Sequence, residues 1–441
     1  MQPHYPFPAL LPRADDGCLD PVASVSKMLA TPFPAPRLPV WGLALATTLG
    51  MQTVASFLDQ SLPIIAPLLT AGVGLAPERV GNLSSLNSLG TVLSLLFGGP
   101  VLARIGPVRM LQVGALMAVS GLLVASSGWW PLLVLAAVVM GAGYGPSPPA
   151  GSRILAATAP PQHRTLIFSI KQAGAPAGGA FAGLILAPAA AAWGWTTALL
   201  IAVVIGLAAV TIIAPARERL DTEREPGAPI GPSVLFNPQR VFAPFVLLRA
   251  NPALLSVTAL AFSFAIVQGS LFSFSVTYLV TGRHLPLATA GMVYACMQFA
   301  GVFARIFLGW LADRTGRPAH NLTAQAFVAA ALVVGYSALP DQPPFLLAAA
   351  IAGATGFFAA SWNGIYMAEV ARLSAADQIA EVTSSSVVVT FLGYVSGPSI
   401  FSALVTWTDG YRVPFVAVAG QLAVMAAVQV VVLARRARIV S

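Results

Sequence analysis

Long apolar runs separated by short polar breaks fill the chain from about residue 40 to its end. Roughly 20 apolar residues cross a bilayer as a helix. Runs of that length predict twelve spans, at 41–68, 80–97, 108–127, 131–155, 164–187, 193–214, 252–280, 288–311, 320–340, 344–370, 381–405 and 412–434. They must be helices, because backbone polar groups in lipid need partners within their own segment. Residues 1–38 lack an apolar core segment and are rich in proline. They read as a disordered tail and not as a signal peptide. The pattern breaks again at 216–250, where Arg217-Glu-Arg-Leu-Asp-Thr-Glu-Arg-Glu-Pro226 mixes both signs of charge before Gly and Pro follow. This stretch reads as an aqueous linker between an N-terminal six-helix half (39–215) and a C-terminal one (251–434), with 435–441 as a short tail.

The chain is 57% hydrophobic and 9% charged, whereas a soluble domain is about 25% charged. The net charge of +8 is therefore read by placement and not as a nucleic-acid signature. All basic residues except Arg79, Arg283 and Arg412 fall on the side that carries the N-terminus. The positive-inside bias then puts both termini and the linker in the cytoplasm. Cys18 and Cys296 lie far apart, so no disulfide framework is expected. His4, His163, His284 and His320 form no ligand pattern, and neither a metal nor a cofactor is expected. The chain contains no G-x-x-x-x-G-K-[ST], H-E-x-x-H or G-x-S-x-G element. It carries no ATP motor of that kind, and an enzyme reading finds no support.

Gly309-Trp-Leu-Ala-Asp-Arg-Thr-Gly-Arg-Pro318 forms a charged hairpin between spans 8 and 9. A worn copy, Gly99-Pro-Val-Leu-Ala-Arg-Ile-Gly-Pro-Val-Arg109, lies between spans 2 and 3. Gly106 corresponds to Gly316 and Arg104 to Arg314, but Ala103 stands where Asp313 stands. Gly174-Ala-Pro-Ala-Gly-Gly179 in span 5 likewise matches Gly393-Tyr-Val-Ser-Gly-Pro398 in span 11 in place. Such repeats point to a two-half transporter.

Ionisable residues inside spans are functional candidates. Gln52, Ser56, Asp59 and Pro63 share one face of span 1. Asp59 either faces a cavity or lies at the outer headgroups. Lys171, one of only two lysines, sits about two turns into span 5 beside Gln172. It either binds an anion or snorkels to the cytoplasmic surface. Tyr294, Gln298 and Arg305 share a face of span 8, with Arg305 assigned to support of the hairpin. Trp362, Asn363 and Tyr366 suit a substrate wall or plain packing. Asn87 lies in a polar row with Ser84 and Thr91, and Ser270, Ser273 and Thr277 form a similar row.

With these elements in place, the chain resembles the major facilitator superfamily. Gly309, Asp313, Arg314, Gly316 and Arg317 match that family's G-x-x-x-D-R-x-G-[RK]-[RK] hallmark, and Gly99, Arg104, Gly106 and Arg109 match it partly. Glu369-Val-Ala-Arg372 resembles the family's E-x-x-R element, which pairs with the hairpin. The resemblance implies an all-α integral membrane protein of twelve helices in two pseudo-symmetric halves. It implies alternating access, with Asp313 capping the start of span 5 near Arg164 in one state. The leading expectation is proton-coupled uptake of a small organic anion such as a carboxylate. Lys171 would attract the anion and Asp59 would be the proton-linked acid. The protein would work as a monomer in a bacterial inner membrane, with protons and lipid as its other partners and no nucleic acid. The alternative is proton-antiport efflux of drugs or metabolites, for which Gly174, Pro176, Gly178 and Gly179 match the antiporter element of span 5 only in part.

Overall fold

The computed structural model describes residues 39–222, 224–231, 248, 251–374 and 379–440. The expected tail at 1–38 and most of the second half of the 216–250 linker, with Arg240 and Arg249, lie outside these residues. Every regular element among the described residues is helical. Eleven helices are long and apolar enough to cross a membrane. The ninth expected span, Pro318–Ser337, is also a helix of 20 residues. Its first two turns hold His320, Asn321, Thr323 and Gln325, which lower its hydropathy. The last helix runs from Arg412 to Val440, past the expected end at 434.

Four spans are interrupted, and they are the first, fourth, seventh and tenth. Span 1 is Val40–Asp59 and Ser61–Gly72, broken at Gln60. Span 4 is Trp130–Tyr144 and Ser147–Thr158, broken at Gly145-Pro146. Span 7 is Pro252–Thr277 ending in a π turn over Tyr278–Gly282. Span 10 is Phe345–Ala359 and Asn363–Leu373. Breaks free backbone groups that lipid cannot satisfy, so they belong where protein or a cavity shields them. Spans 2 (Arg79–Phe97), 5 (Arg164–Trp193), 8 (Leu287–Thr315) and 11 (Ile379–Thr408) are continuous despite Pro176, Pro188 and Pro398.

Glycines set how closely these helices cross. A Cβ on Gly174 or Gly178 would collide with the backbone of span 1 at Leu49 and Thr53. A Cβ on Gly393 or Gly397 would collide with span 7 at Phe262 and Ile266. The spacing of four is the same in both halves, so the two crossings are copies. Between the halves, Gly183 of span 5 meets Gly291 of span 8, and Gly81 of span 2 meets Pro398 of span 11. Small residues permit this approach where lipid gives no hydrophobic drive for helix association. Large apolar side chains face outward, among them Leu346, Ile212 and Val424. Trp129, Trp193 and Trp407 stand exposed at span ends, where indole rings suit the membrane interface.

Candidate functional site

The polar residues of span 1 point into the first half and toward the seam with the second. Gln52 is buried, donates to the Tyr144 hydroxyl (3.3 Å) and accepts from Ser147 (3.0 Å), both on span 4. Ser56 lies close to the Tyr144 hydroxyl as well. Asp59 accepts from Asn87 Nδ2 of span 2 (2.8 Å) and from Gln60 Nε2 (3.0 Å). Its carboxylate is thus held by side chains of spans 1 and 2.

Lys171 is 1% exposed, and its ammonium has no hydrogen-bond partner. The end of its side chain lies against Gly151 of span 4, near Thr48 of span 1, where any larger residue than glycine would displace it. It has not snorkelled. It also stands far from Asp59: Thr48 and Asp59 share one helix, and their separation is about 16 Å at 1.5 Å per residue. Taking an ammonium out of water costs several kcal/mol unless an acceptor replaces the water (about that order).

Arg305 corrects the sequence reading. It does not support the 8–9 hairpin but reaches across the seam, donating to the Gln172 carbonyl of span 5 (2.7 Å) and the Ala360 carbonyl at the break in span 10 (3.3 Å). Its Nε is buried without a partner, and it lies within electrostatic reach of Lys171, Tyr144 and Tyr394. The Gln172 side chain is exposed, and only its backbone takes part. Two cations from opposite halves thus approach one region, with no acid between them among the described residues.

On the second half, Trp362 and Tyr366 are fully buried and present no free surface in this conformation. Trp362 stacks on Phe264 (5.7 Å) and donates to Gln268 (2.8 Å), which also accepts from the Tyr394 hydroxyl (2.9 Å). Tyr366 donates to Thr258 (3.3 Å). Asn363 lies close to the Tyr394 hydroxyl. Gln298 is buried over Gly179 and donates to the Tyr294 hydroxyl (2.7 Å), which donates to Gln60 across the seam (2.7 Å). Tyr144, Gln268 and Tyr394 were missed in the sequence, although a carboxamide inside an apolar run at Gln268 was a usable signal.

The two charged hairpins differ. Gly106 and Gly316 both adopt positive φ (95° and 62°), as their correspondence in sequence requires. In the first hairpin Arg104 is exposed and Gly99 open, while Asp221, beyond span 6, packs against Gly106. Its carboxylate accepts from the backbone N–H of Val108 (2.6 Å) and Arg109 (3.3 Å), the first turn of span 3. Burial pushes this carboxyl above the usual carboxylate range, against the lowering effect of those donors and of Arg109 and Arg217. Arg217 donates to Gln112, which holds the Val210 carbonyl (2.7 Å), and Glu225 N–H donates to the Ala103 carbonyl (2.9 Å). In the second hairpin Asp313, Arg314 and Arg317 are exposed, Arg314 lying over the Trp310 ring (5.4 Å). Gly309 has open space at its Cβ. Asp313 makes no bond to the start of span 5 among the described residues, and Arg164 instead donates to Ala156 (3.1 Å). Glu369 is buried and paired with Arg372 (2.7 Å).

The opposite face is closed. Besides Tyr294–Gln60, Ser402 of span 11 donates to the Glu78 carbonyl before span 2 (2.7 Å), and Thr406 reaches the Glu78 carboxylate (3.4 Å). These bonds join the two halves on that face, whereas the Asp313 carboxylate makes no bond to the other half among the described residues.

The family model described as Major Facilitator Superfamily matches residues 48–398. The chain belongs to the major facilitator superfamily. It is a multi-pass membrane transporter, and its relatives are transporters and not enzymes. It is 28% identical over 157 residues to a hexuronate transporter of Bacillus subtilis, covering 35% of this chain and 37% of that one. It is 26% identical over 378 residues to an uncharacterised MFS-type transporter of Mycobacterium tuberculosis, covering 83% and 79%. It is 27% identical over 295 residues to the 4-hydroxybenzoate transporter PcaK of Pseudomonas putida, covering 60% and 63%. The matches to the hexuronate and 4-hydroxybenzoate transporters span less than two thirds of those proteins. Among solved structures, a bacterial homologue of the human lysosomal transporter Spinster aligns with a TM-score of 0.68 at 16% identity, covering 89% of this chain and 96% of that one.

Proposed function

We propose that this superfamily member takes up a small organic anion, a carboxylate, together with protons across a bacterial inner membrane. One observation carries the reading: the Lys171 ammonium is buried and unpaired, with Arg305 of the other half in electrostatic reach. A carboxylate entering there would supply the missing acceptor to both halves at once. The names of two relatives, for hexuronate and 4-hydroxybenzoate, are both those of organic anions and support the same class. Asp59 serves as the proton-linked acid, since it lies inside the bundle with only neutral donors on its oxygens.

The two six-helix halves rock about this midplane region by alternating access. The hairpin face is cytoplasmic, as the distribution of arginines argues, and the conformation described is then inward-facing. Asp313 latches onto the start of span 5 when that face closes. The unit of transport is the monomer.

The test is a thermal-shift titration of the purified protein with a hexuronate, 4-hydroxybenzoate and cationic drugs. A ligand that binds only the folded state raises the melting temperature. Stabilisation by carboxylates and its loss in Lys171→Ala are expected. Stabilisation by cations alone would replace the anion reading with efflux.

A further inference from the structure

Asp59 and Lys171 lie too far apart to neutralise each other, so protonation must be communicated through the structure. Four side chains form a row from Asp59 across the seam. Gln298 Nε2 donates to the Tyr294 hydroxyl (2.7 Å). The Tyr294 hydroxyl donates to Gln60 Oε1 (2.7 Å). Gln60 Nε2 donates to Asp59 Oδ2 (3.0 Å). Every donor points the same way, toward a carboxylate that only accepts. Tyr294 and Gln298 are buried on span 8, Gln60 and Asp59 are at the break of span 1, and within this row the bond between Tyr294 and Gln60 crosses from one half to the other.

We propose that this row is a hydrogen-bond relay whose polarity is set by Asp59, and that Gln60, Tyr294 and Gln298 are positioning residues coupling its protonation to closure of the face opposite the hairpins. The proposal rests on Asp59 as the proton site. A proton that arrives from water and stays on Oδ2 turns that oxygen from acceptor into donor. Gln60 must then turn its amide over, presenting Oε1 to Asp59 and Nε2 to Tyr294. Oxygen and nitrogen of an amide are nearly equal in size, so the exchange needs little room. Tyr294 now receives the Gln60 donor and needs an acceptor for its own proton. Gln298 Oε1 is buried and unpaired in this structure, and turning that amide brings it to Tyr294. No proton travels beyond Asp59; the other groups only exchange roles.

Two features favour Gln60 over Asn87 as the group that turns. The Gln60 side chain is less buried than that of Asn87, although its backbone keeps helical bonds to Ser56 (3.0 Å) and Ile64 (3.2 Å). Asn87 is wedged against Gly141, where even an added Cβ would overlap it. The groups facing Asp59 from the packed elements are Asn87 of span 2, Tyr144 of span 4 and Tyr294 of span 8. None is a cation that would hold the carboxylate ionised. With Asp59 ionised, the relay ends in a charge-assisted bond and its members reinforce one another. With Asp59 protonated it is neutral throughout and the seam weakens.

The experiment uses the full-length protein with Cys18→Ser and Cys296→Ser, spin-labelled through Ala71→Cys and Arg412→Cys at the closed face. Double electron–electron resonance reads the separation of the two halves without any substrate. Lowering the pH from about 8 to about 5 should raise the long-distance population about five-fold, the difference between a charge-assisted and a neutral bond. Asp59→Asn should remove the pH response. Tyr294→Phe, which keeps the ring, should shrink it to less than about two-fold although Asp59 still titrates. Gln60→Leu should do the same and decides the matter if Tyr294→Phe fails to fold. A full response in Tyr294→Phe or Gln60→Leu, with none in Asp59→Asn, overturns the relay and leaves Asp59 as the proton site. No response in the wild type, or an unchanged one in Asp59→Asn, overturns both.

Discussion

The two helix crossings that copy each other allow the halves to be compared residue by residue. Gly174 and Gly178 meet Leu49 and Thr53, and Gly393 and Gly397 meet Phe262 and Ile266. With the backbones matched in this way, Asp59 falls on Phe272, Gln52 on Ala265 and Lys171 on Thr390. The first half places its ionisable groups where the second has apolar or neutral ones. The second half instead lines its interior with Trp362, Tyr366, Tyr394 and Gln268, and contributes charge to the seam through Arg305. One backbone solution thus serves two chemistries, because glycine contacts fix the crossing and leave the other faces of the helix free to vary. The hairpins diverge similarly. The first is tied down by Asp221 from the linker, whereas the second keeps Asp313 exposed on the surface.

The largest effect should follow from erasing this difference at the buried lysine. Lys171→Thr copies the residue of the second half and removes the unpaired ammonium. Stabilisation by carboxylates should weaken about thirty-fold or more, as for loss of a charge-assisted hydrogen bond in a buried site. Lys171→Arg should restore only part of it, since the planar guanidinium does not fit the slot over Gly151. Titration by thermal shift reads both, and unchanged affinity in Lys171→Thr would sink the anion site.

A smaller effect is expected at the free acid. Asp313→Asn should slow turnover in proteoliposomes roughly five-fold, the worth of a carboxylate at a helix N-terminus. Ligand affinity should stay within about two-fold, because Asp313 is exposed and remote from Lys171 in this state. Collapse of binding in a folded variant would mean that the hairpin shapes the site itself.

At the tied hairpin the expected change is in stability. Asp221→Ala removes a cap from span 3 and should cost about 1–2 kcal/mol in denaturant unfolding. The pH dependence has a definite sign. The folded protein holds the Asp221 proton more tightly than the unfolded chain does, since burial raises its pKa. The contribution of Asp221 is therefore full below the unfolded pKa and is lost as pH rises through the raised folded value. The stability difference between wild type and Asp221→Asn should fall over that window, and a difference that grows with pH would contradict it.

The smallest effect is expected from Ala103→Asp, which restores an acid to the first hairpin. The Glu225 N–H already ties the linker to the Ala103 carbonyl (2.9 Å), so turnover should change by less than about two-fold, as for an ordinary surface substitution. A larger change would show that the two halves can be latched alike.

The amino-acid sequence by itself determined the twelve helices, their division into two halves, the repeated hairpin with its paired glycines and the polar faces of spans 1 and 5. These features are local: apolar length, turn chemistry and helical spacing are written in consecutive residues. It did not show that spans 1, 4, 7 and 10 are the interrupted ones, because their breaks at Gln60, Gly145-Pro146, Tyr278 and 360–362 carry no common residue. Only the tertiary structure decided what the polar groups meet. Asp59 met Asn87 and Gln60 and not Lys171; Arg305 met Gln172 across the seam and not the hairpin beside it; and Asp221 met the first turn of span 3. In a membrane interior no water satisfies a stray polar atom, so each such group takes the partner that packing brings within reach, however distant in the chain.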